Sequence, residues 1–431
     1  MNNFLLRGLL SATVCLVAGS ALAQTTVSEE TSAKHAVLLP TADTFVRKGY
    51  TQRNLGVKDV MELNSNKEGT TDFVGLLSFA LPEELHYSNY VASNANLRLV
   101  TRSLGKGGNN VNVFKFGGTF DEKSLYSDPD MEADIKDARS TNVLALFQAK
   151  GQKNKAISDK GLSADYTKIE NWVNNINLTD VVNSMLDSQL NLMIESADKD
   201  GLSTKIFSKD LPKDVTCQTT NEVLSANDLK PQLTVDYALA THTLSVTEAG
   251  AATLVLPYET EIPEGVKAYT LEYASGNKAV ATELKGVIPA NTPVLVNAEK
   301  GNYTFKATAT LTTKDANPVR GNLHGVWNEN VVPVGSYVLQ NQKGTVAFYR
   351  VATDNFKIQP NQAYLYAPKA ANVRMLSIGY GGDGTTAING IEAATTNAND
   401  KVYTIDGKKV NGNNLAKGLI YISNGKKFIL K

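Results

Sequence analysis

Short runs in which apolar and polar residues alternate dominate the chain from about residue 35 onward. Clear examples are NLRLVTR, NVNVFKF, QLTVDY, TPVLVN, YTFKATATL and TVAFYRV, and Asn, Gly and Pro interrupt them at short intervals. A period of two places successive side chains on opposite faces of a strand, and short strands between turn residues are typical of antiparallel sandwiches. The pattern predicts an all-β protein with a jelly-roll-like β-sandwich, a second β-sandwich and a small C-terminal β-hairpin module.

Helical patterning is confined to two segments. In SDPDMEADIKDAR, Asp128 is the predicted N-cap and Pro129 the first helical residue, with acidic residues in the first turn. In Asn177–Leu186, apolar residues recur at helical spacing behind Thr179 or Asp180. Neither segment is long enough to change the predicted fold class.

Composition and turn signals divide the chain into five segments. The first 23 residues combine an early Arg7, an apolar stretch and the Ala21-Leu22-Ala23 cleavage pattern of a signal peptide. Asp406-Gly407 and Asn424-Gly425 lie between apolar runs, which indicates two hairpins near the end of the chain. The predicted segments are a signal peptide (1–23), a first β-sandwich (36–240), a second β-sandwich (241–380), a Gly/Thr/Asn-rich linker (381–400) and a hairpin module (401–431).

Charge and cysteine content restrict the function further. The 43 basic and 43 acidic residues give no net charge, which argues against a nucleic-acid partner. Cleavage after Ala23 leaves Cys217 as the one remaining cysteine, so no intramolecular disulfide is expected. Its polar, Thr-rich surroundings predict a surface or half-buried thiol. Nothing after residue 23 approaches the length of a membrane span.

The residue types that catalysis or metal binding needs are not grouped in the sequence. The four histidines are scattered, and the common nucleophile, zinc and phosphate-loop motifs do not occur. The acidic residues from Asp128 to Asp137 are better explained by a helix start than by calcium. We therefore expect no enzyme, catalytic residue, metal or cofactor, although two acids meeting in space for glycoside cleavage remain an open alternative.

The stretch ADTFVRKGYTQRNLGVKDVMELN (42–64) is the main candidate for binding. Alternation places Arg47 on one face of its strand and, in NLRLVTR, places Arg98 and Arg102 together. Neighbouring strands would combine them into a polar patch for an acidic polysaccharide, since guanidinium groups pair bidentately with carboxylates. The predicted ligand-binding residues are Arg47, Lys48, Arg53, Asn54, Glu62, Asn64, Lys67, Arg98 and Arg102. Ordinary cross-strand charge pairing on a solvated face is the alternative.

The two tryptophans bear on the same question, because sugar sites in β-sandwiches use aromatic platforms. Trp172, flanked by Ile169, Val173 and Ile176, is predicted to lie in the core. Trp327 lies in a polar turn and is the better candidate for exposure.

Several segments in order resemble a known family. They are ADTFVRKGYTQRNLGVKDVMELN, FVGLLSFALP, NANLRLVTR, INLTDVVNSMLDSQLNLMIES, KIFSKD and KPQLTVDY, spanning about residues 36–237. Together they resemble the DNRLRE-type β-sandwich and the family 96 carbohydrate-binding modules. The resemblance implies a jelly-roll-like fold that binds polysaccharide, alginate-like in the best-known members, without catalysis.

The chain departs from that family pattern at two places. Family members typically carry an arginine just before the FVGLLSFAL strand, where this chain has Thr70-Thr71-Asp72. The segment between Phe120 and Asp165 is also long and charged compared with the compact module. The first departure removes a cation from the expected site and puts an alginate-like ligand in doubt.

The remaining segments carry weaker resemblances. Residues 242–380 resemble a β-sandwich found near the C-terminus of exported Bacteroidetes proteins, and the tail resembles a type IX secretion sorting signal. Together these observations predict an exported, secreted or cell-surface protein that binds polysaccharide, with outer-membrane secretion machinery as a further partner. The alternatives are a structural adhesin that binds protein partners and an accessory to a polysaccharide lyase or hydrolase.

Overall fold

Strands are the main secondary structure, at 46% strand against 9% helix, which confirms the predicted all-β class. The computed structural model describes residues 33–381, except 159, 186–187, 201 and 371–372, together with residues 402–404, 408–410, 420–423 and 426–429. The predicted signal peptide and residues 382–400 of the predicted linker lie outside the described residues.

The first part of the chain contains thirteen strands, three short α-helices and three 3₁₀ turns. The strands are β1 (Lys34–Leu38), β2 (Ala42–Arg47), β3 (Val60–Ser65), β4 (Asp72–Ala80), β5 (Tyr90–Leu104), β6 (Asn110–Lys115), β7 (Ala145–Gln148), β8 (Val173–Asn177), β9 (Gln189–Ser196), β10 (Thr204–Phe207), β11 (Val215–Thr216), β12 (Val223–Leu224) and β13 (Gln232–Leu239). The α-helices are α1 (Met131–Ser140), α2 (Thr179–Asn183) and α3 (Ala226–Leu229), and the 3₁₀ turns are Glu83–His86, Ala164–Tyr166 and Ile169–Asn171.

Eleven of these strands form one curled, mostly antiparallel sheet. The order is β1-β13-β5-β10-β3-β4-β9-β6-β7, with β2 paired to β4 and β8 paired to β5. The curl brings β5 and β13 opposite β4, β9 and β6, and their inward side chains form the main core. Leu97 and Leu99 of β5 and Leu77 and Phe79 of β4 are fully buried there. Alternation along β5 placed these leucines correctly.

Two further apolar clusters cover outer faces of the same sheet. On one side, α1 contributes Met131, Ile135 and Ala138 at helical spacing against Val46 and Val74. Residues of β4 are buried on both sides, and its first eight positions are therefore all buried. Helix α1 begins at Met131, after Asp130 with a left-handed φ of 70°, and not next to the predicted N-cap Asp128.

The second outer cluster is built by residues between about 157 and 229. Trp172 is its centre, fully buried as predicted, and its Nε1 donates to the Tyr166 carbonyl at 2.9 Å. Cys217 lies in the same cluster and is only 2% exposed. The prediction of a surface or half-buried thiol is therefore wrong, because a polar sequence context does not reveal that a loop folds over a sheet.

A second group of strands begins at Thr241. Its elements are β14 (Thr241–Val246), β15 (Ala251–Leu254), β16 (Thr260–Glu261), β17 (Lys267–Ser275), β18 (Lys278–Leu284), β19 (Val287–Ile288), β20 (Val294–Asn297), β21 (Gly301–Lys306), β22 (Val319–Arg320), β23 (Leu323–Gly325), β24 (Asn330–Val331), β25 (Tyr337–Gln342), β26 (Thr345–Arg350), β27 (Lys357–Ile358), β28 (Ala363–Leu365), the 3₁₀ turn Pro368–Ala370 and β29 (Met375–Gly381). Ten of the strands form one sheet around two apolar clusters.

Asn89 joins the two sheets at the point where the chain passes between them. Its side chain is fully buried, its Nδ2 donates to the Thr308 carbonyl at 3.2 Å, and its backbone carbonyl accepts from Ala240 at 2.9 Å. Ser88 adds a backbone hydrogen bond to Thr312. Asn89 thus bonds through its side chain to the second part of the chain and through its backbone to Ala240, in the connection between the two parts.

The C-terminal segment forms the two predicted hairpins. The strands are β30 (Val402–Thr404), β31 (Lys409–Val410), β32 (Ile420–Ser423) and β33 (Lys426–Ile429), and β30 pairs with both β31 and β32. Both predicted turn dipeptides lie outside the described residues. Across the described ranges, no helix combines the length and apolar character needed to traverse a bilayer.

Candidate functional site

Arg47 lies exposed at the end of β2, against the ring of Phe73. The two residues are cross-strand partners, and the Arg47 guanidinium carbon is 4.6 Å from the Phe73 ring centroid and 5.8 Å from that of Tyr50. Among the described residues, this guanidinium forms no ion pair with a carboxylate. Stacking on two rings holds the planar group in place while its hydrogen-bond donors stay available.

Asn64 and Glu62 lie on the other side of Phe73. Asn64 is the β3 partner of Phe73, and its Nδ2 donates to Ser203 Oγ at 3.2 Å. Ser203 Oγ in turn donates to Glu62 Oε1 at 2.5 Å, and Lys205 Nζ is 3.7 Å from Glu62. Asn64 Oδ1 is buried and accepts no hydrogen bond from any described residue.

Lys48 and Lys67 extend the positive charge from Arg47 along one edge. The Lys48 backbone donates to the Asp72 carbonyl at 3.0 Å, and its ammonium donates to the Gly69 carbonyl at 3.2 Å. Gly69 and Lys67 belong to the turn between β3 and β4, where Gly69 has a φ of 65°. We call Arg47, Lys48 and Lys67 the cationic rim.

Acidic residues lie close to the Lys67 end of the cationic rim. Lys67, Glu68, Asp198 and Asp200 line an open depression of about 690 Å³. Asp198 accepts from the Asn110 backbone and side chain, at 2.7 and 3.0 Å, which compensates part of its charge. Lys199 also lines the depression, whereas Arg47 and Lys48 do not.

The predicted site residues Arg53 and Asn54 form hydrogen bonds to other residues of the chain. Arg53 forms a bidentate ion pair with Asp128, with Nη1 to Oδ2 at 2.8 Å, and also donates to the Lys123 carbonyl. Asn54 accepts from the Tyr50 hydroxyl at 3.0 Å. Arg53 therefore ties the loop after β2 to the segment before α1, a contact across 75 residues.

Arg98 and Arg102 require a correction to the predicted patch. Both lie on β5, which is separated from β4 by β10 and β3, and the outer cluster around Trp172 covers this side of β5. Arg98 donates to the Asp228 carbonyl, and burial lowers its pKa. Arg102 lies 5.8 Å from the Phe207 ring centroid. The structure thus brings neither arginine onto one open face with Arg47.

Trp327 is half-buried in the second sheet. Its Nε1 donates to the Asp315 carbonyl at 2.6 Å, and Lys314 Nζ lies 4.9 Å from the ring centroid. One aromatic face is therefore occupied by a cation.

A buried ionic network at Asp72 was missed by the sequence reasoning. Arg139 of α1 bonds to both Asp72 oxygens, at 2.7 and 3.0 Å, and its Nε donates to Glu195 at 2.7 Å. The Tyr126 hydroxyl donates to Asp72 at 2.8 Å, and burial raises the tyrosine pKa. Burial also raises the pKa of Glu195, with the Asp72 charge acting in the same direction and Arg139 opposing them.

The Asp72 network places a guanidinium group beside the start of β4. At the start of β4 the chain has Asp72, and a guanidinium reaches that position from α1, 67 residues away. Its donors are directed at two protein carboxylates. No local pattern in the sequence identifies this partner.

Three carboxylates around Asp43 form the one cluster with metal-ligand spacing in the described part of the chain. Oxygens of Asp43, Glu122 and Asp210 lie within 4.8 Å of one another. Lys209 Nζ is 2.6 Å from Glu122 and 3.2 Å from Asp210, and already supplies positive charge there. Asp43 is fully buried and accepts from Ser208 Oγ at 3.2 Å and the Lys209 backbone at 2.7 Å. Burial raises the Asp43 pKa to about 7.

Comparison with known proteins adds no identification. No protein-family model matches the chain, and no curated protein matches it. Among solved structures, a chain from the cryo-EM structure of T=3 Penaeus vannamei nodavirus is similar at 9% identity, covering 73% of this chain and 97% of that chain. The TM-score is 0.12, which is too low to indicate a shared fold.

Replacing Arg139 with methionine should destabilise the first sheet. The substitution leaves Asp72 and Glu195, only 12% and 14% exposed, without their shared cation. We expect the free energy of unfolding to fall by about 3 kcal/mol. This value is at the low end of the range for a broken buried ion pair, because Arg139 is 31% exposed. Urea unfolding followed by Trp172 fluorescence, in a Trp327→Phe background, measures it. The matched triple variant Arg139→Met/Asp72→Asn/Glu195→Gln should recover most of the loss. No recovery would contradict this account.

Asp43 should make the protein less stable as pH rises from about 4 to 7. The native state keeps a proton up to about pH 7, whereas the unfolded carboxyl releases it near its ordinary pKa of 3.8. The unfolded state therefore binds fewer protons in this window, and stability falls by roughly 4 kcal/mol and then levels off above pH 7.

The same fluorescence assay at several pH values tests this expectation. Asp43→Asn should flatten the fall, because an amide can accept the same backbone hydrogen bond without a charge. The control Asp236→Asn should retain it, since hydrogen bonds from Asn94 and His35 lower the pKa of the exposed Asp236 away from this window. An unchanged slope in Asp43→Asn would show that another group is responsible.

Proposed function

We propose that the protein is a non-catalytic polysaccharide-binding protein and that the cationic rim of the first sheet binds acidic glycan. One observation carries the proposal: the exposed Arg47 guanidinium is stacked on Phe73 at 4.6 Å and has no carboxylate partner among the described residues. A uronate carboxylate is the planar acceptor that such a group binds bidentately.

Neighbouring groups support the same ligand class. Lys48 and Lys67 add charge along the edge, and an extended polymer of acidic sugars presents carboxylates at regular intervals to such an edge. The partly exposed Glu62 carboxylate, oriented by the hydrogen bond from Ser203 Oγ, supplies an acceptor for hydroxyl groups. Arg53, Arg98 and Arg102 are left out of the proposed surface because each is held by other parts of the chain.

Removing two cations from the rim should weaken binding to polyuronates. The variant Arg47→Ala/Lys67→Ala should bind alginate or polygalacturonate about tenfold more weakly, corresponding to roughly 1.4 kcal/mol. Affinity electrophoresis measures the retardation, which should also fall with added salt. The matched control Arg374→Ala/Lys306→Ala removes one arginine and one lysine from the second sheet and should migrate like the parent protein.

Two outcomes of that experiment would refute the proposal. One is an absence of retardation by any acidic or neutral polysaccharide, which would favour a protein-binding adhesin. The other is equal retardation of the rim variant and its control. Falling polymer viscosity or new absorbance of unsaturated uronates during incubation would instead indicate an enzyme.

We also propose that the protein is exported to the cell surface, with the C-terminal hairpin module acting as a sorting element. The supporting observations are the Arg7–Ala23 signal-peptide pattern and the tail's resemblance to type IX secretion signals. N-terminal sequencing of the exported protein should begin at Gln24. A cell-associated protein that retains Met1 would contradict this.

A further inference from the structure

A pocket of about 570 Å³ lies at the end of the first sheet where β5 ends and β6 and β8 begin. Its lining includes Asn109, Gln148, Lys150, Lys153, Tyr166 and Asn171. This volume falls within the range of small-ligand sites and accommodates about two sugar units. None of these residues belongs to the cationic rim.

The segment that forms one wall, residues 149–155, is held in place by its backbone. Ala149 donates to the Asn109 carbonyl at 2.9 Å, and Lys150 donates to Asn174 Oδ1 at 2.8 Å. At the other end, Asn154 donates to the Leu104 carbonyl at 3.1 Å. A wall fixed at both ends is already ordered before a ligand binds, which lowers the entropic cost of binding.

Gly151 shows how closely this wall follows the sheet behind it. Its φ is 141°, and a Cβ at this position would lie 2.7 Å from Trp172 Cε3. The fully buried indole therefore supports the wall directly, and Tyr166 packs edge-to-face on the same indole at 6.2 Å. The one aromatic side chain of the pocket thus has a fixed orientation.

The polar groups of the pocket suit a polyhydroxylated ligand. Gln148, Gln152 and Asn171 present side-chain amides that each form one hydrogen bond. Gln148 donates to the Gly108 carbonyl, Gln152 accepts from the Ser163 backbone N–H, and Asn171 donates to the Asp165 carbonyl. Amides with one bond already made keep further donors and acceptors for sugar hydroxyls. Tyr166 can stack on an apolar sugar face.

Charge selects among such ligands. Lys150 and Lys153 are both exposed, and neither ammonium contacts a carboxylate or any other acceptor in the described part of the chain. Asp165 is the single acid among the lining residues. The described lining therefore carries two lysines against one acid, and this excess of positive charge favours an anionic ligand.

We propose that this pocket binds the end of a uronic acid-containing saccharide, one or two units long, through Lys150 and Lys153. This proposal goes beyond the function proposed for the cationic rim. It concerns a separate set of residues, and its ligand is the end of a saccharide, whereas the rim would bind along a polymer. The two sites are neighbours: Gly108 lines the pocket, and a Cβ placed on it would lie 2.6 Å from Asp198, which lines the depression beside Lys67.

Isothermal titration calorimetry of the mature chain with digalacturonic acid, tetragalacturonic acid and cellobiose tests the proposal. The acidic dimer should bind, the tetramer should bind no more than about threefold tighter, and cellobiose should bind at least about tenfold more weakly. Lys150→Ala/Lys153→Ala should weaken dimer binding about tenfold without changing the unfolding midpoint, because neither ammonium group bonds to an acceptor among the residues that the structure describes. The control Lys115→Ala/Lys213→Ala removes the same charge from the same part of the chain and should bind normally.

Three results would overturn the proposal: no dimer binding, equal loss in the control variant, or a tetramer affinity more than about tenfold above that of the dimer, which indicates a groove. These results are distinguishable from failure at the rim. Retardation by polyuronate gels without dimer binding refutes the pocket alone, and dimer binding without retardation refutes the rim alone.

Discussion

Burial of the inward side chains of one curled sheet is the interaction on which the first half of the molecule depends. Leu97 and Leu99 of β5 face Leu77 and Phe79 of β4, and each is removed completely from water. With one cysteine expected after export, no disulfide can substitute for this contact. Every site described above is positioned by it: the cationic rim lies where β2, β3 and β4 meet, and the pocket lies where β5 gives way to β6.

The predictable part of the fold is the part encoded by short-range periodicity. Alternation identified strands and the inward leucines of β5, flanking apolar residues indicated the burial of Trp172, and turn dipeptides between apolar runs indicated the terminal hairpins. The outer layers were not predictable in this way, because a period of two distinguishes the faces of a strand but does not reveal whether a distant segment covers one of them. Arg98 and Arg102 looked exposed for this reason. Cys217 looked accessible because its polar neighbours in sequence do not reveal that its loop folds over the sheet.

The candidate site shows the same division between local and long-range information. The exposure of Arg47 follows from its place at a strand end beside a polar loop. The partners of Arg53 and Asp72 lie 75 and 67 residues away, so no window of the sequence contains both members of either pair. The net charge of zero also concealed that opposite charges are distributed unevenly: Arg139 is shared between carboxylates, while Arg47 and Lys150 have no carboxylate partner among the described residues.

The way the segment 149–155 is held has an evolutionary consequence. Its position depends on backbone groups, on Asn174 and on the indole of Trp172, whereas the ammonium groups of Lys150 and Lys153 bond to no acceptor in the described part of the chain. Substitution at Lys150 or Lys153 therefore escapes the stability threshold that removes most changes in a folded protein. Ligand preference can drift at these two positions while the sheet beneath them stays under constraint, and related chains are expected to differ most in charge at this wall.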